Sequence, residues 1–231
     1  MDFASEAPRM TPTENPFGWR TPLLRLVLTG MVLAIWFWTQ SMLGARTAPV
    51  NGGIGDALHN LTAGLNSYFA QSPAAANALL ILSSACIDAL ALFLLAGWLF
   101  GGSVRPFLGL VLLMLLRQLL EALCSLPVPP GMIWRYPGFP SLLVTYRVAN
   151  DFFFSGHTAI AVFGAIELSR FHRPWLTTVA ILVALFEVAT VLILRAHYTM
   201  DVFTGILAAL CIARVSARLA PALDQRLAGH R

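Results

Sequence analysis

Long apolar runs separated by short polar stretches dominate the chain and set its predicted elements. Runs over about Leu23 to Leu43, Asn77 to Phe100, Val104 to Leu123, Phe152 to Phe171, Trp175 to Leu194 and Tyr198 to Val215 each approach the ~20 residues a helix needs to cross the hydrocarbon core. None alternates with the period of a strand, and a span outside a barrel must satisfy its backbone within a helix. The pattern therefore predicts an all-α, polytopic membrane protein, a six-transmembrane-helix bundle. It occupies residues 23–217, between a disordered cytoplasmic tail at 1–22 and a second cytoplasmic tail at 218–231.

The links carry their own signals. Gly101-Gly102 and His172-Arg173-Pro174 are short enough to join antiparallel neighbours, and proline suits a helix start. Between the first two runs, Ile54, Leu58, Leu61, Leu65 and Phe69 recur at helical spacing, which predicts a short helix lying on the membrane surface. Trp36 and Trp38 stand near the far end of the first run, at the level favoured by amphipathic rings. A longer connection with Pro127, Pro129, Pro130, Pro137 and Pro140 precedes the fourth run.

Composition agrees with a bilayer environment and excludes a large soluble domain: 58% of residues are hydrophobic and 11% charged. All 15 basic residues are arginine, and no basic run points to a nucleic-acid partner. Most arginines, among them Arg9, Arg20, Arg25, Arg105, Arg170, Arg173, Arg214, Arg218, Arg226 and Arg231, fall on one side of the predicted bundle. Arg46, Arg135, Arg147 and Arg195 fall on the other. The positive-inside tendency then puts both termini in the cytoplasm. Cys86, Cys124 and Cys211 lie in apolar surroundings without metal-ligand spacing and read as packing residues.

Two polar clusters interrupt this pattern, Asn150 to Thr158 and Arg195 to Asp201, on either side of a helical hairpin. A run of about 20 residues rises roughly 30 Å, so the hairpin returns both clusters to one membrane face, the periplasmic, lumenal or exterior one. His197 and Asp201 are spaced to share a helix face. An aspartate that accepts the proton of one ring nitrogen would leave the other as a nucleophile. His157 is placed to act as general acid and base, with Asp151 as its support. Phosphoryl transfer also needs donors for the non-bridging oxygens. Arg195 and Arg147 flank the clusters, and Ser155 and Gly156 precede His157 where helix N-terminal amides favour anions. The same arginines also suit anchoring to lipid phosphates, and both readings stay open. Arg117 and Glu121 have ion-pair spacing in the third run, with a structural pair as the plain alternative. Asp88 and Glu187 read as interhelical contacts, and Glu167 and Arg170 are placed to reach towards water.

These motifs resemble the sphingomyelin synthase branch of the type 2 phosphatidic acid phosphatase superfamily. The resemblance rests on Asp151 with Ser155-Gly156-His157-Thr158, on His197-Tyr198-Thr199 followed by Asp201-Val202, and on Arg117 ahead of Leu126-Pro127-Val128-Pro129 and Gly131. It implies His157, His197 and Asp201 as a catalytic triad that uses no metal and no cofactor, with Tyr198 beside the phosphate. It further implies transfer of a phosphocholine or phosphoethanolamine head group from a glycerophospholipid donor to a ceramide or diacylglycerol-like acceptor. Ala149-Asn150 departs from the Cys-Gly common ahead of the aspartate. Thr190-Val191 stands where the superfamily's phosphatases carry Ser-Arg, which favours the synthase branch over a plain phosphatase. Water as acceptor, giving a phospholipase C or lipid phosphate phosphatase, is the nearest alternative, and a transporter or structural membrane protein the more distant one.

Overall fold

The computed structural model describes residues 20–45, 54–146 and 152–228, and every regular element among them is an α-helix. In chain order these are α1 (Arg20–Gly44), α2 (Ala57–Leu61), α3 (Ala63–Gln71), α4 (Pro73–Leu99), α5 (Arg105–Leu123), α6 (Gly156–Ser169), α7 (Pro174–Ile193) and α8 (Thr199–Ala228). Five of them, α1, α4, α5, α7 and α8, are long and apolar enough to cross a membrane. The sixth, α6, is a 14-residue helix, about 21 Å long at the helical rise. It packs against α4, α5, α7 and α8. Its Ala159, Ile160, Ala161 and Phe163 form the centre of the core with Ile87, Leu94, Leu113 and Ala209. The chain is thus a multi-pass helical membrane bundle assembled around α6.

The short α6 differs from the predicted run over 152–171, and its N-cap explains the difference. Ser155 is extended and its hydroxyl accepts from the Thr158 amide (3.3 Å), a good helix start. Residues 152–154 therefore enter the bundle ahead of the first helical hydrogen bond, which the Ser155 carbonyl accepts from the Ala159 amide (3.1 Å). Inside a bilayer such groups need other partners, and the bundle supplies them. The Phe152 carbonyl accepts from a histidine, the Phe154 carbonyl from an arginine, and the Ser155 amide donates to the Asp201 carbonyl (3.1 Å).

The predicted surface helix is two short helices, α2 and α3. Their leucines face outward, Leu61 at 80% exposure, whereas His59 and Asn66 are buried against the ends of α7 and α8. The polar face is the one the protein uses. Asn66 donates to the carbonyls of Gly131 (3.2 Å) and Ile193 (2.9 Å), which ties α3 to the long connection and to α7.

That connection is held by side chains rather than by regular structure. Asp88, midway along α4, accepts from the Ser141 hydroxyl and from the amides of Leu142 (2.8 Å) and Leu143 (3.0 Å). Asp88 therefore secures a loop, whereas Glu187 on α7 makes the expected interhelical contact, accepting from Ser83 on α4 (2.6 Å).

On the opposite side of the bundle, Glu167 is buried and paired with Arg105 (2.8 Å) instead of reaching water. α8 does not end near Val215 but runs on to Ala228. Ala220, Leu223 and Leu227 continue its apolar stripe onto Trp98 and Phe107. Asp224 caps the start of α5, accepting from Ser103 and from the Val104 amide (both 2.7 Å). Of the cysteines read as packing residues, Cys86 and Cys124 are partly buried and Cys211 is exposed.

Candidate active site

The extended lead into α6 and the turn into α8 bring the two histidines together. His157, on the first turn of α6, and His197, in the turn between α7 and α8, line one cavity with Arg117, Gly156, Trp36 and Trp134. Both imidazoles are buried. The Trp134 ring stands edge-on to His157 at 5.1 Å between centroids. It is held there by its indole N–H donating to the Thr145 carbonyl (3.1 Å) and by contact with Tyr146.

The ring of His197 is oriented by a backbone group. Its Nδ1 lies 2.8 Å from the Phe152 carbonyl. A carbonyl only accepts, so Nδ1 carries a proton, and in the neutral ring Nε2 is then the nitrogen that holds the lone pair. Asp201, expected to play this part, is 3.8 Å from Nδ1, outside hydrogen-bond range. Its Oδ2 instead accepts from the Tyr198 amide (2.8 Å). Asp201 thus braces the turn and places a fully buried carboxylate near the imidazole.

Among the described residues that line the cavity, Arg117 is the one arginine. Its Nε donates to the Phe154 carbonyl (3.0 Å), and its guanidinium pairs with Glu121 at 2.5 Å, both side chains buried. Glycine at 156 makes room for it, since a Cβ there would lie 3.1 Å from Arg117 Nε.

The remaining predicted residues sit elsewhere. Arg195 does not line the cavity: its guanidinium donates to the carbonyls of Pro130 (2.6 Å) and His59 (3.4 Å), fastening α2 and the connection to the end of α7. Ser155 caps α6. Tyr198 is buried, stacks on His59 at 5.6 Å, and lines a separate cavity with Asp56, Phe153 and Asp201. Asp151 and Arg147 lie outside the described residues.

Two residues that sequence reasoning passed over hold the His197 turn. His59 Nε2 donates to the His197 carbonyl (2.9 Å). Asp56 caps two helices with one carboxylate. It accepts from the Leu58 (3.0 Å) and His59 (3.2 Å) amides at the start of α2, and from the Thr199 amide and hydroxyl (both 2.6 Å) at the start of α8. Burial alone would raise the Asp56 carboxyl. The Thr199 and His59 hydrogen bonds and the His59 ring outweigh it and hold the carboxyl below its ordinary 3.8. An aspartate ahead of a helical run is a readable N-cap signal, but nothing in the sequence marks Thr199 as its second partner.

A family model described as AtPDCT1/2 matches residues 55–218, well over half of the chain. The chain belongs to the AtPDCT1/2 family. It is also similar to phosphatidylcholine:diacylglycerol cholinephosphotransferase 1 of Arabidopsis thaliana, at 24% identity over 192 residues, which is 83% of this chain and 61% of that protein. The chain therefore spans about three fifths of the length of that relative. In AtPDCT1/2 terms, the matched segment holds Asp56, His59, Arg117, His157, His197 and Asp201, whereas α1 with Trp36 precedes it.

Proposed function

We propose that this AtPDCT1/2-family protein is an integral-membrane transferase that moves phosphocholine from a glycerophospholipid to a diacylglycerol-type alcohol through a phosphohistidine on His197. The observation that supports the reading is the convergence of His157, His197 and Arg117 on one cavity, with His197 Nδ1 engaged by a carbonyl and Nε2 left nucleophilic. Choline and diacylglycerol are preferred to ethanolamine and ceramide because the Arabidopsis thaliana relative is named for them.

In the first half-reaction His197 Nε2 attacks phosphorus, the bond from phosphorus to the glyceride oxygen breaks, and His157 gives that oxygen a proton. In the second, the acceptor hydroxyl passes its proton to His157, its oxygen attacks phosphorus, and the bond to Nε2 breaks. Arg117 and the amides at the start of α6 face the non-bridging oxygens, where charge accumulates. Asp201 favours the positive charge that develops on His197. From sequence spacing alone, Asp151 is assigned to support His157 and Arg147 to bind the phosphate. The arginine distribution supports a site facing away from the cytoplasm.

The test is product analysis on purified protein in micelles. The donor is phosphatidylcholine labelled in choline, and the acceptor is diacylglycerol with distinguishable acyl chains. Label should move into phosphatidylcholine bearing the added chains, depend on acceptor, exceed that seen in parallel phosphatidylethanolamine and ceramide arms, and vanish in His197→Ala. Phosphocholine release at the same rate without acceptor would make the protein a hydrolase.

A further inference from the structure

The geometry points to Trp36 as a substrate-contacting residue whose indole N–H donates to a phosphate oxygen of the bound phospholipid. This rests on the cavity being the lipid phosphodiester site proposed above. α1 carries two tryptophans near one end, and they part ways. Trp38 is 62% exposed on the outer face, whereas Trp36 lines the cavity with Arg117, His157 and His197. Trp36 Nε1 is buried and has no hydrogen-bond partner among the described residues. Indole N–H groups out of water normally find an acceptor.

The placement of Trp36 is fixed. Gln118 on α5 donates to Gln40 on α1 at 3.0 Å. Gln40 lies one helical turn beyond Trp36 and Gln118 one turn beyond Met114, and Trp36 and Met114 both line the cavity. The glutamine pair thus sets the register of α1 against α5 at the height of the site. Near the other end of α1, Arg25 donates to the Trp98 carbonyl (2.7 Å). A helix pinned in this way holds Trp36 against the site.

The chemistry of the wall says what it lacks. Arg117 supplies donors, His157 and His197 take the reacting positions, and the remaining lining among the described residues is largely apolar. A phosphodiester brings anionic acceptor oxygens into that setting, and a neutral N–H beside the guanidinium can bind one without adding a charge to the membrane interior.

Trp36→Phe keeps a smaller aromatic ring and removes the N–H. The kcat/KM for phosphatidylcholine should fall about tenfold or more, as expected for a lost hydrogen bond to a charged group, and equally for diacyl and dialkyl-ether donors. Loss with the diacyl donor alone would assign the N–H to an ester carbonyl and overturn the inference, as would no loss with either. A second readout does not depend on turnover. In protein with ¹⁵N-labelled tryptophan in maltoside micelles, the indole resonance missing from Trp36→Phe should move downfield with a non-transferable phosphonate analogue of phosphatidylcholine, and stay put with diacylglycerol. That shift in a protein without transfer activity would uphold the Trp36 contact while the transferase reading fell. Transfer without the shift would overturn the Trp36 contact alone.

Discussion

Replacing Arg117 separates a structural role from a role at the phosphate, because its ion pair can be removed from either side or from both. The Arg117 and Glu121 side chains are 6% and 0% exposed and meet at 2.5 Å, so solvent does little to screen them. Arg117→Met takes the cation from beside a buried carboxylate, which costs about 3–5 kcal/mol, and strips the Phe154 carbonyl of its Nε donor. Arg117→Met with Glu121→Leu replaces the pair by apolar side chains, a change that is often neutral or stabilising. The double variant should recover most of the stability, short of roughly 1–3 kcal/mol for the Phe154 carbonyl. It should nevertheless transfer head groups roughly 10²-fold more slowly, the order of loss when a donor to developing charge is removed. The assay pairs thermal unfolding in maltoside micelles, followed by tryptophan fluorescence, with turnover per folded protein. A double variant that is both stable and as fast as wild type would refute the phosphate role. One as unstable as Arg117→Met would refute the ion-pair reasoning.

Asp56→Asn should loosen the starts of α2 and α8 together and lower the unfolding temperature above about pH 4. The depressed carboxyl contributes stability that is present above its unfolded value near 3.8 and lost as pH falls through the lower folded value. Wild type and variant should therefore converge in acid, and a gap that persists at the lowest pH where both stay folded would contradict the linkage. Gly109→Ala should destabilise by about 1–3 kcal/mol, since a Cβ there would collide with the buried Phe163 ring. Phe163→Leu in the same chain should return part of that loss, and full stability of Gly109→Ala alone would show that the ring moves aside freely.

The spans were legible because bilayer thickness makes apolar length a direct signal, and the two histidine clusters stood out as polar interruptions of it. The lead into α6 was not legible. Phe152, Phe153 and Phe154 are as apolar as the helix they precede, and hydropathy does not register that Ser155 caps it. That lead supplies the carbonyl that orients His197, so spacing gave Asp201 a part the Phe152 backbone plays. Arg195 misled for a related reason. Position along the chain says which face of the membrane a guanidinium occupies, but not that the carbonyls of Pro130 and His59 are waiting for it. In α2 and α3 the periodic leucines marked the outer face, while the site depends on the polar residues between them. In the sequence Trp36 and Trp38 carry the same interfacial signal. Only the packing of α1 on α5 tells them apart.

The central claim is a covalent intermediate on His197, and trapping it is the most direct measurement. Purified protein incubated with phosphatidylcholine labelled in its phosphocholine, without acceptor, should yield an acid-labile, alkali-stable adduct on the peptide that carries His197. Diacylglycerol should discharge it, and His197→Ala should never form it. Head-group transfer running at full rate with no label on His197, or with the label on another residue, would contradict the account.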